Sequence, residues 1–458
     1  LPEQIDNVSK TFRVTPRRRR LMRLHKETRL LSALLGPILV LAACVGCSGG
    51  SADGGGGDQQ ANLTVWSWDG TVAKAVPGFE AENPNIKVKV VNAGSSTDEY
   101  TALDNAIQAG SGVPDLAMFE YFALPYFAIP GKLDDLGGFG AESLQKDYVA
   151  AAWNDVTVNG KVYGLPSDYG PSAMFYNEAT LKKAGVNKPP ATWDEYYQDA
   201  KKVRALGGNY YIAQDTGDPF FLLSLIWQAG GRPFKVSGNT VHIDFTDPGT
   251  TKAVEFWQKM LDEGLVNTKV TAWSDDWNRT LNDGTLASQT MGGWLTSTLP
   301  ERAPHAAGRF KVALMPQWAQ GDEVGSENGG SSFGIPAAAQ HKAAAYKFLK
   351  YFTHDAGLTP RVAAGAFVPD TSVLESKDAQ SKANTYFGGQ KVGAVLAEAS
   401  KSVATGWQYP PFFEWARVTY GDLVSKFYTT GKGSLAQILE EWKQRMTKYG
   451  NDQGFKVD

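Results

Sequence analysis

The sequence predicts an α/β protein organised in two lobes. Three observations carry that expectation. Residues 62–120 read strand, helix, strand, helix, strand, and the same grammar restarts after Gly160. The chain also has 458 residues, for which two domains are the natural division, and 42% hydrophobic content supplies a core for each.

Taken in order, Asn62–Trp68 alternates with the period of a strand, and Thr71–Glu82 reads as a helix halted before Pro84. Ile86–Asn92 is a second alternating strand and Asp98–Ala109 a second helix. Asp115–Glu120 is a short apolar run that fits a buried third strand. This βαβ order belongs to a parallel sheet covered on both faces. After Gly160, Lys161–Leu165 and Ser172–Tyr176 read as strands, and Thr192 to Glu195 has the spacing of a capping box opening a helix to about Ala205. Further helices are expected at Thr250–Glu263, Ser274–Asn282, Lys342–Thr353 and Ser434–Tyr449. In the third of these, Ala344, Ala345, Phe348, Leu349 and Phe352 fall on one face.

Charge and cysteine placement exclude several classes. The net charge of −3 conceals a basic N-terminus, residues 1–43, and an acidic body with no footprint for nucleic acid. Cys44 and Cys47 are the two cysteines, so the body has neither a disulfide nor a Cys nucleophile. The five histidines are scattered, which argues against a transition-metal enzyme. No cofactor and no metal are expected.

The first residues read as an address. Arg17 to Arg20, Arg23, Lys26 and Arg29 precede the apolar run Leu30–Ala43, which is too short and too interrupted by Pro37 for a stable span but suits a signal peptide. Leu41-Ala42-Ala43-Cys44 resembles the lipobox of bacterial lipoproteins. Cys44 is the expected lipidated (palmitate-bearing) residue, with Cys47 as the alternative. Residues 44–61, rich in Gly and Ser, would then be the flexible tether. The body is thus expected at the extracellular face of the cell membrane, held by lipid alone.

An ordered series of short stretches adds a family resemblance. It runs through Trp66-Ser67-Trp68-Asp69, Phe79–Pro84, Gly112–Asp115, Asn159–Pro166, Met174–Asn177, Pro189–Glu195, Met291–Trp294 and Gly329–Pro336. The series resembles the family 1 extracellular solute-binding proteins, which serve sugar ABC importers and include the maltodextrin binders. The resemblance implies a two-lobed fold of the periplasmic-binding-protein kind, with a ligand cleft between lobes joined by a hinge. It also implies a sugar or oligosaccharide ligand, ABC permease subunits as partners, and a monomer. Residues 62–168 with 325–370 are expected in the first lobe, and 169–324 with 371–458 in a second, helix-richer one.

A sugar site needs aromatic platforms and hydroxyl-binding carboxylates or amides. Trp68 and Asp69 end the first strand, and Glu120 and Tyr121 end the third; parallel α/β sheets place ligands beyond such ends. Asp168 and Tyr169 fall near the first crossing between lobes. Trp227, Trp273, Trp407 and especially Trp294, flanked by Gly292 and Gly293, are candidate platforms, and Ser331 is a candidate donor. Maltodextrin binders resembling this chain place a carboxylate where it has Gly170, which weakens the case for a maltodextrin.

Rival readings are a carbohydrate-active hydrolase, a surface adhesin, and a binder of a non-sugar solute. Gly330-Ser331-Ser332-Phe333-Gly334 matches G-x-S-x-G in letters, but that motif needs a strand before it and a helix after it, and Pro336 argues against the helix. Candidate carboxylates for a glycosidase exist, yet they serve a binder equally well. The expectation is binding without chemistry.

Overall fold

The computed structural model describes residues 60–94, 96–215 and 217–458. The signal segment, Cys44, Cys47 and nearly all of the tether lie outside the described residues.

Strand β1 (Ala61–Trp66) buries Ala61, Leu63 and Val65 and alternates them with more exposed neighbours. Helix α1 (Val72–Glu82) follows, then β2 (Ile86–Val91), α2 (Thr97–Ala109) and β3 (Leu116–Glu120). β1 pairs in parallel with both β2 and β3, as the βαβ grammar requires. In β3, Leu116 to Phe119 are all buried because helices cover both faces of a parallel sheet. The chain then forms α3 (Ala150–Asp155) and β4 (Leu165–Asn177).

β4 departs from expectation. Of the strands expected at Lys161–Leu165 and Ser172–Tyr176, the first shrinks to a separate Lys161–Val162, and the second reaches back to Leu165 in one continuous 13-residue strand, Leu165–Asn177. Pro166 and Pro171 fall inside it, although proline cannot donate to a ladder. The structure absorbs them with register shifts in the opposing strand, between Glu327 and Gly330 and between Ser331 and Ser332.

Beyond β4 come α4 (Trp193–Arg204), α5 (Pro219–Gln228), β5 (Phe234–Ser237), β6 (Thr240–Ile243), α6 (Pro248–Asp262), α7 (Asp275–Asp283), β7 (Ser288–Gly292), α8 (Leu295–Arg302) and β8 (Phe310–Leu314). The Thr192 hydroxyl caps α4 by accepting from Glu195 N, but the Glu195 carboxylate reaches back to Ala191 N instead of Thr192 N, so the box is not reciprocal. β9 (Glu327–Gly334), α9 (Lys342–Thr353) and α10 (Leu358–Ala363) return the chain to the first sheet. α11 (Val392–Ser402), α12 (Phe413–Thr430), α13 (Leu435–Asp452) and β10 (Lys456–Val457) complete it. A full capping box does form at α13, between Ser434 and Gln437. On α9, Ala345, Phe348, Leu349 and Phe352 are buried as the periodicity predicts, and Phe348 meets Phe79 of α1 edge-on at 4.9 Å.

The sheet order is β7-β4-β9-β3-β1-β2, with β8 also pairing β4. β4 therefore serves two sheets. Residues 165–171 pair antiparallel with β9, whereas 172–177 lie between β7 and β8. That long strand and β9 join the two lobes and fix the ends of the strands that face the cleft.

Candidate functional site

Three adjacent strands align their cleft-side ends. Glu120 of β3 is the register partner of Ser331 of β9, and Ser331 is that of Asp168 of β4. Pairing in register puts all three on one row of the sheet. Glu120 accepts from the Tyr100 hydroxyl at 2.9 Å, and that hydroxyl in turn accepts from Glu120 N. Trp68, just past β1, stands edge-on to Tyr100 at 6.1 Å. Burial, and then the charge of Asp69, push the Asp168 carboxyl up to about 7 against the pull of Arg361 and Ser331. Burial likewise raises Glu120, opposed by Ser96, Arg417 and Tyr100.

Asp69 has a different job. Its carboxylate accepts from Thr71 N, from the Thr71 hydroxyl and from Arg361 Nη2, so both oxygens are engaged. Arg361 is fully buried and also reaches the Phe352 carbonyl and Ser167. Asp69 thus fixes the turn into α1 and sets the field felt by Asp168.

The opposite wall comes from α12 and α5. Arg417 donates to Glu414 at 3.1 Å, to the Ser96 hydroxyl at 3.3 Å and to the Thr97 hydroxyl at 3.4 Å, and Thr97 donates to Glu414. The Arg417 guanidinium lies 5.4 Å over the Phe122 ring, which packs on Phe220, Tyr409 and Phe413. Asp218 caps α5 and is raised by burial, with Arg417 pulling it down. The result is a cluster of carboxylates and one cation over an aromatic floor, drawn from β3, α5 and α12. Arg417, Glu414, Asp218 and Tyr100 were not among the residues the sequence singled out. Asp218-Pro219 is a readable helix start, but nothing local tells that its cap approaches Arg417.

Trp294 is half-buried at the start of α8, its Nε1 donating to the Asn328 carbonyl at 2.7 Å. Trp273, with 42% of its surface exposed, lies 5.8 Å from it. These two indoles form a separate aromatic pair beside β9. Gly170 explains its own departure from the maltodextrin pattern: a Cβ there would lie 2.1 Å from the Gly329 carbonyl oxygen, so no side chain fits.

Two expected platforms need correction. Trp227 and Trp407 stack face to face at 4.8 Å with 2% and 1% exposure, and Trp227 Nε1 is used by the Ala404 carbonyl. Their apolar area is spent on each other, so they are packing residues. Tyr121 and Tyr169 are also buried; the Tyr121 hydroxyl donates to the Asp168 carbonyl. Ser331 and Ser332 lie inside β9, and Ser332 donates to the Phe119 carbonyl, so the G-x-S-x-G letters form a strand and not a nucleophile elbow. Among the described residues no cluster of three metal-ligating side chains occurs, and no helix is long and apolar enough to cross a membrane.

Two α/β lobes joined by shared strands, with polar and aromatic side chains gathered at the strand ends, define a solute-binding fold. The chain belongs to the bacterial extracellular solute-binding proteins, whose family model matches residues 66–358. Among solved structures it is similar to the ABC transporter associated binding protein of B. animalis subsp. lactis Bl-04 in complex with β-1,6-galactobiose. The two share 41% identity at a TM-score of 0.78, over 88% of this chain and 100% of that one. It is 27% identical to the lactose-binding protein of Rhizobium radiobacter, over 81% of this chain and 87% of that protein. It is 28% identical to the arabinooligosaccharide-binding protein of Bacillus subtilis, over 69% and 73% respectively.

Proposed function

We propose that this protein captures a short neutral oligosaccharide, with galactose-containing disaccharides as first candidates, and delivers it to the permease of an ABC importer. The reading rests chiefly on the row Glu120, Ser331 and Asp168, with Trp68 edge-on to the Tyr100 that bonds Glu120 and with Arg417 and Glu414 near Glu120. Carboxylates and hydroxyls of this kind accept from and donate to sugar hydroxyls, and indoles cover the flat C–H faces of the ring. Trp68, Glu120, Asp168, Trp273, Trp294 and Ser331 are the proposed ligand residues from the sequence, with Tyr100, Asp218, Glu414 and Arg417 added.

The ligand would favour a closed arrangement by touching both lobes, 62–168 with 325–370 and 169–324 with 371–458. The sugar would be released intact, since binding is the whole task. Cys44 would carry the lipid that holds the body outside the membrane as a monomer. A thermal-shift panel of β-1,6-galactobiose, lactose, arabinobiose and maltotriose tests the ligand class, because a ligand selective for the native state raises the melting temperature. Recovery of cleaved sugar, or no shift with any of them, would refute the reading. Mass spectrometry of the membrane-extracted N-terminus tests the anchor, and an unmodified Cys44 would refute it.

A further inference from the structure

The start of α2 forgoes its own cap. Serine ordinarily closes a helix N-terminus with its hydroxyl, yet Ser96 makes no such bond and holds a positive φ of 50°. Its hydroxyl instead accepts from Arg417 Nη2 at 3.3 Å, and the Thr97 hydroxyl accepts from the same nitrogen at 3.4 Å. Thr97 in turn donates to the Glu414 carboxylate.

The two sides of this contact belong to different parts of the fold. α2 is fixed to the first sheet, where Glu99 accepts from Met118 N of β3 and Tyr100 stacks on Phe119 at 6.2 Å. α12 is fixed to other helices. Trp442 Nε1 of α13 donates to the Ala416 carbonyl, and Phe413 meets Phe220 of α5 at 5.8 Å. In the proposed division, Ser96 and Thr97 fall in 62–168, and Glu414 and Arg417 in 371–458.

Arg417 is held in place to make the contact. It donates to Glu414, one turn back on α12, at 3.1 Å and lies 5.4 Å over the Phe122 ring. Phe122 follows β3, is 2% exposed, and sits among Phe220, Tyr409 and Phe413 at 5.1, 6.2 and 5.7 Å. The same two groups of residues meet again where Asn154 Nδ2 donates to the Trp407 carbonyl at 3.2 Å and Gly238 N donates to Asn159 at 3.1 Å. Those bonds end on backbone atoms. The bonds at α2 run between side chains and involve both charges of an ion pair, which makes them the stronger kind.

We propose that Ser96 and Thr97 are positioning residues whose hydroxyls latch α2 to the Glu414–Arg417 pair of α12, and that this latch sets how long a captured ligand is retained. Parting the two sides breaks the Thr97–Glu414 bond and both Arg417 bonds together, so the latch adds to the barrier against release. The contact stands on the distances given. Its effect on retention rests on the solute-capture reading.

The test uses the full-length protein. Thr97 is exposed at the first position of α2, so Thr97→Val removes the hydroxyl without opening a core, and Thr97→Ser restores it. Stopped-flow release of β-1,6-galactobiose from Thr97→Val should be faster by about tenfold, the worth of one hydrogen bond to a charged group. Association should not slow, and Thr97→Ser should match wild type. Urea unfolding without sugar should show that Thr97→Val costs less in an Arg417→Ala background than alone, because its partner is already gone. Equal release from Thr97→Val and wild type would overturn the latch. So would slowed association with unchanged release, which would place Thr97 on the entry route, or Thr97→Ser behaving as Thr97→Val. Strictly additive urea costs would overturn the contact itself. Failure of every sugar to bind, with the urea costs coupled as stated, would overturn solute capture and retention with it, while the contact stands.

Discussion

Asp69 and Arg361 form a 3.0 Å ion pair across 292 residues of sequence. The guanidinium is wholly buried and also donates to Phe352, Ser167 and Thr71, so it binds the turn after β1 to α9, β4 and α10 at once.

Replacing Arg361 by Met leaves Asp69 facing Asp168 without its counter-charge. Breaking a buried pair on one side costs about 3–5 kcal/mol. Urea unfolding of Arg361→Met should show a midpoint lowered accordingly, whereas Asp69→Asn, which keeps the acceptor to Thr71, should cost less. Equal stability of Arg361→Met and wild type would refute the anchoring role.

Trp294→Ala should weaken sugar binding more than folding. Loss of stacking and apolar contact is worth about 2–3 kcal/mol, or roughly 30–150-fold in affinity. Titration calorimetry and melting of the same variant separate the outcomes. Unchanged affinity with a strongly lowered melting temperature would make Trp294 a packing residue anchored by its bond to Asn328.

Arg417 stands among Glu414, Glu120 and Asp218, and its removal leaves buried acids without their cation. Arg417→Ala should cost about 2–3 kcal/mol of ligand affinity, expressed mainly as faster release, and Arg417→Lys should recover part of it. Stopped-flow dissociation measures this, and an unaltered off-rate would remove Arg417 from the site.

Glu99 gives a pH dependence whose sign is fixed. It is fully buried on α2, one oxygen accepting from Met118 N and the other without a partner. Burial above all, with help from the charge of Glu120 and against the Met118 N–H, pushes it from 4.5 up to about 8. The neutral form therefore contributes stability that is complete below about pH 4.5 and is lost as pH climbs to about 8, on the order of 3–5 kcal/mol. Glu99→Gln, which keeps the acceptor for Met118, should flatten the melting profile over that window. A profile as steep as wild type would show that Glu99 is ionised throughout.

The first strands and their helices were legible because their signals are local. Alternation in β1 and β2, the apolar run of β3 and the amphipathic face of α9 each follow from contacts within a few residues. β4 was read as starting only at Ser172 because the register shifts that accommodate Pro166 and Pro171 belong to β9, more than 150 residues away. The same distinction divides the proposed site. Glu120 and Asp168 are legible as strand ends, but Arg417 comes near Glu120 and Asp218 only through helix packing that no local pattern encodes. Trp227 and Trp407 were misassigned because a lone tryptophan does not reveal that its partner in stacking is another tryptophan.

Capture of an intact sugar is tested most directly by one titration. Calorimetric titration of β-1,6-galactobiose into the full-length protein at pH 6, followed by chromatography of the sugar, should give saturable one-to-one binding and full recovery of the disaccharide. Absence of saturable heat across the galactosides and pentosides of the panel with a folded protein, or recovery of free galactose, would contradict it.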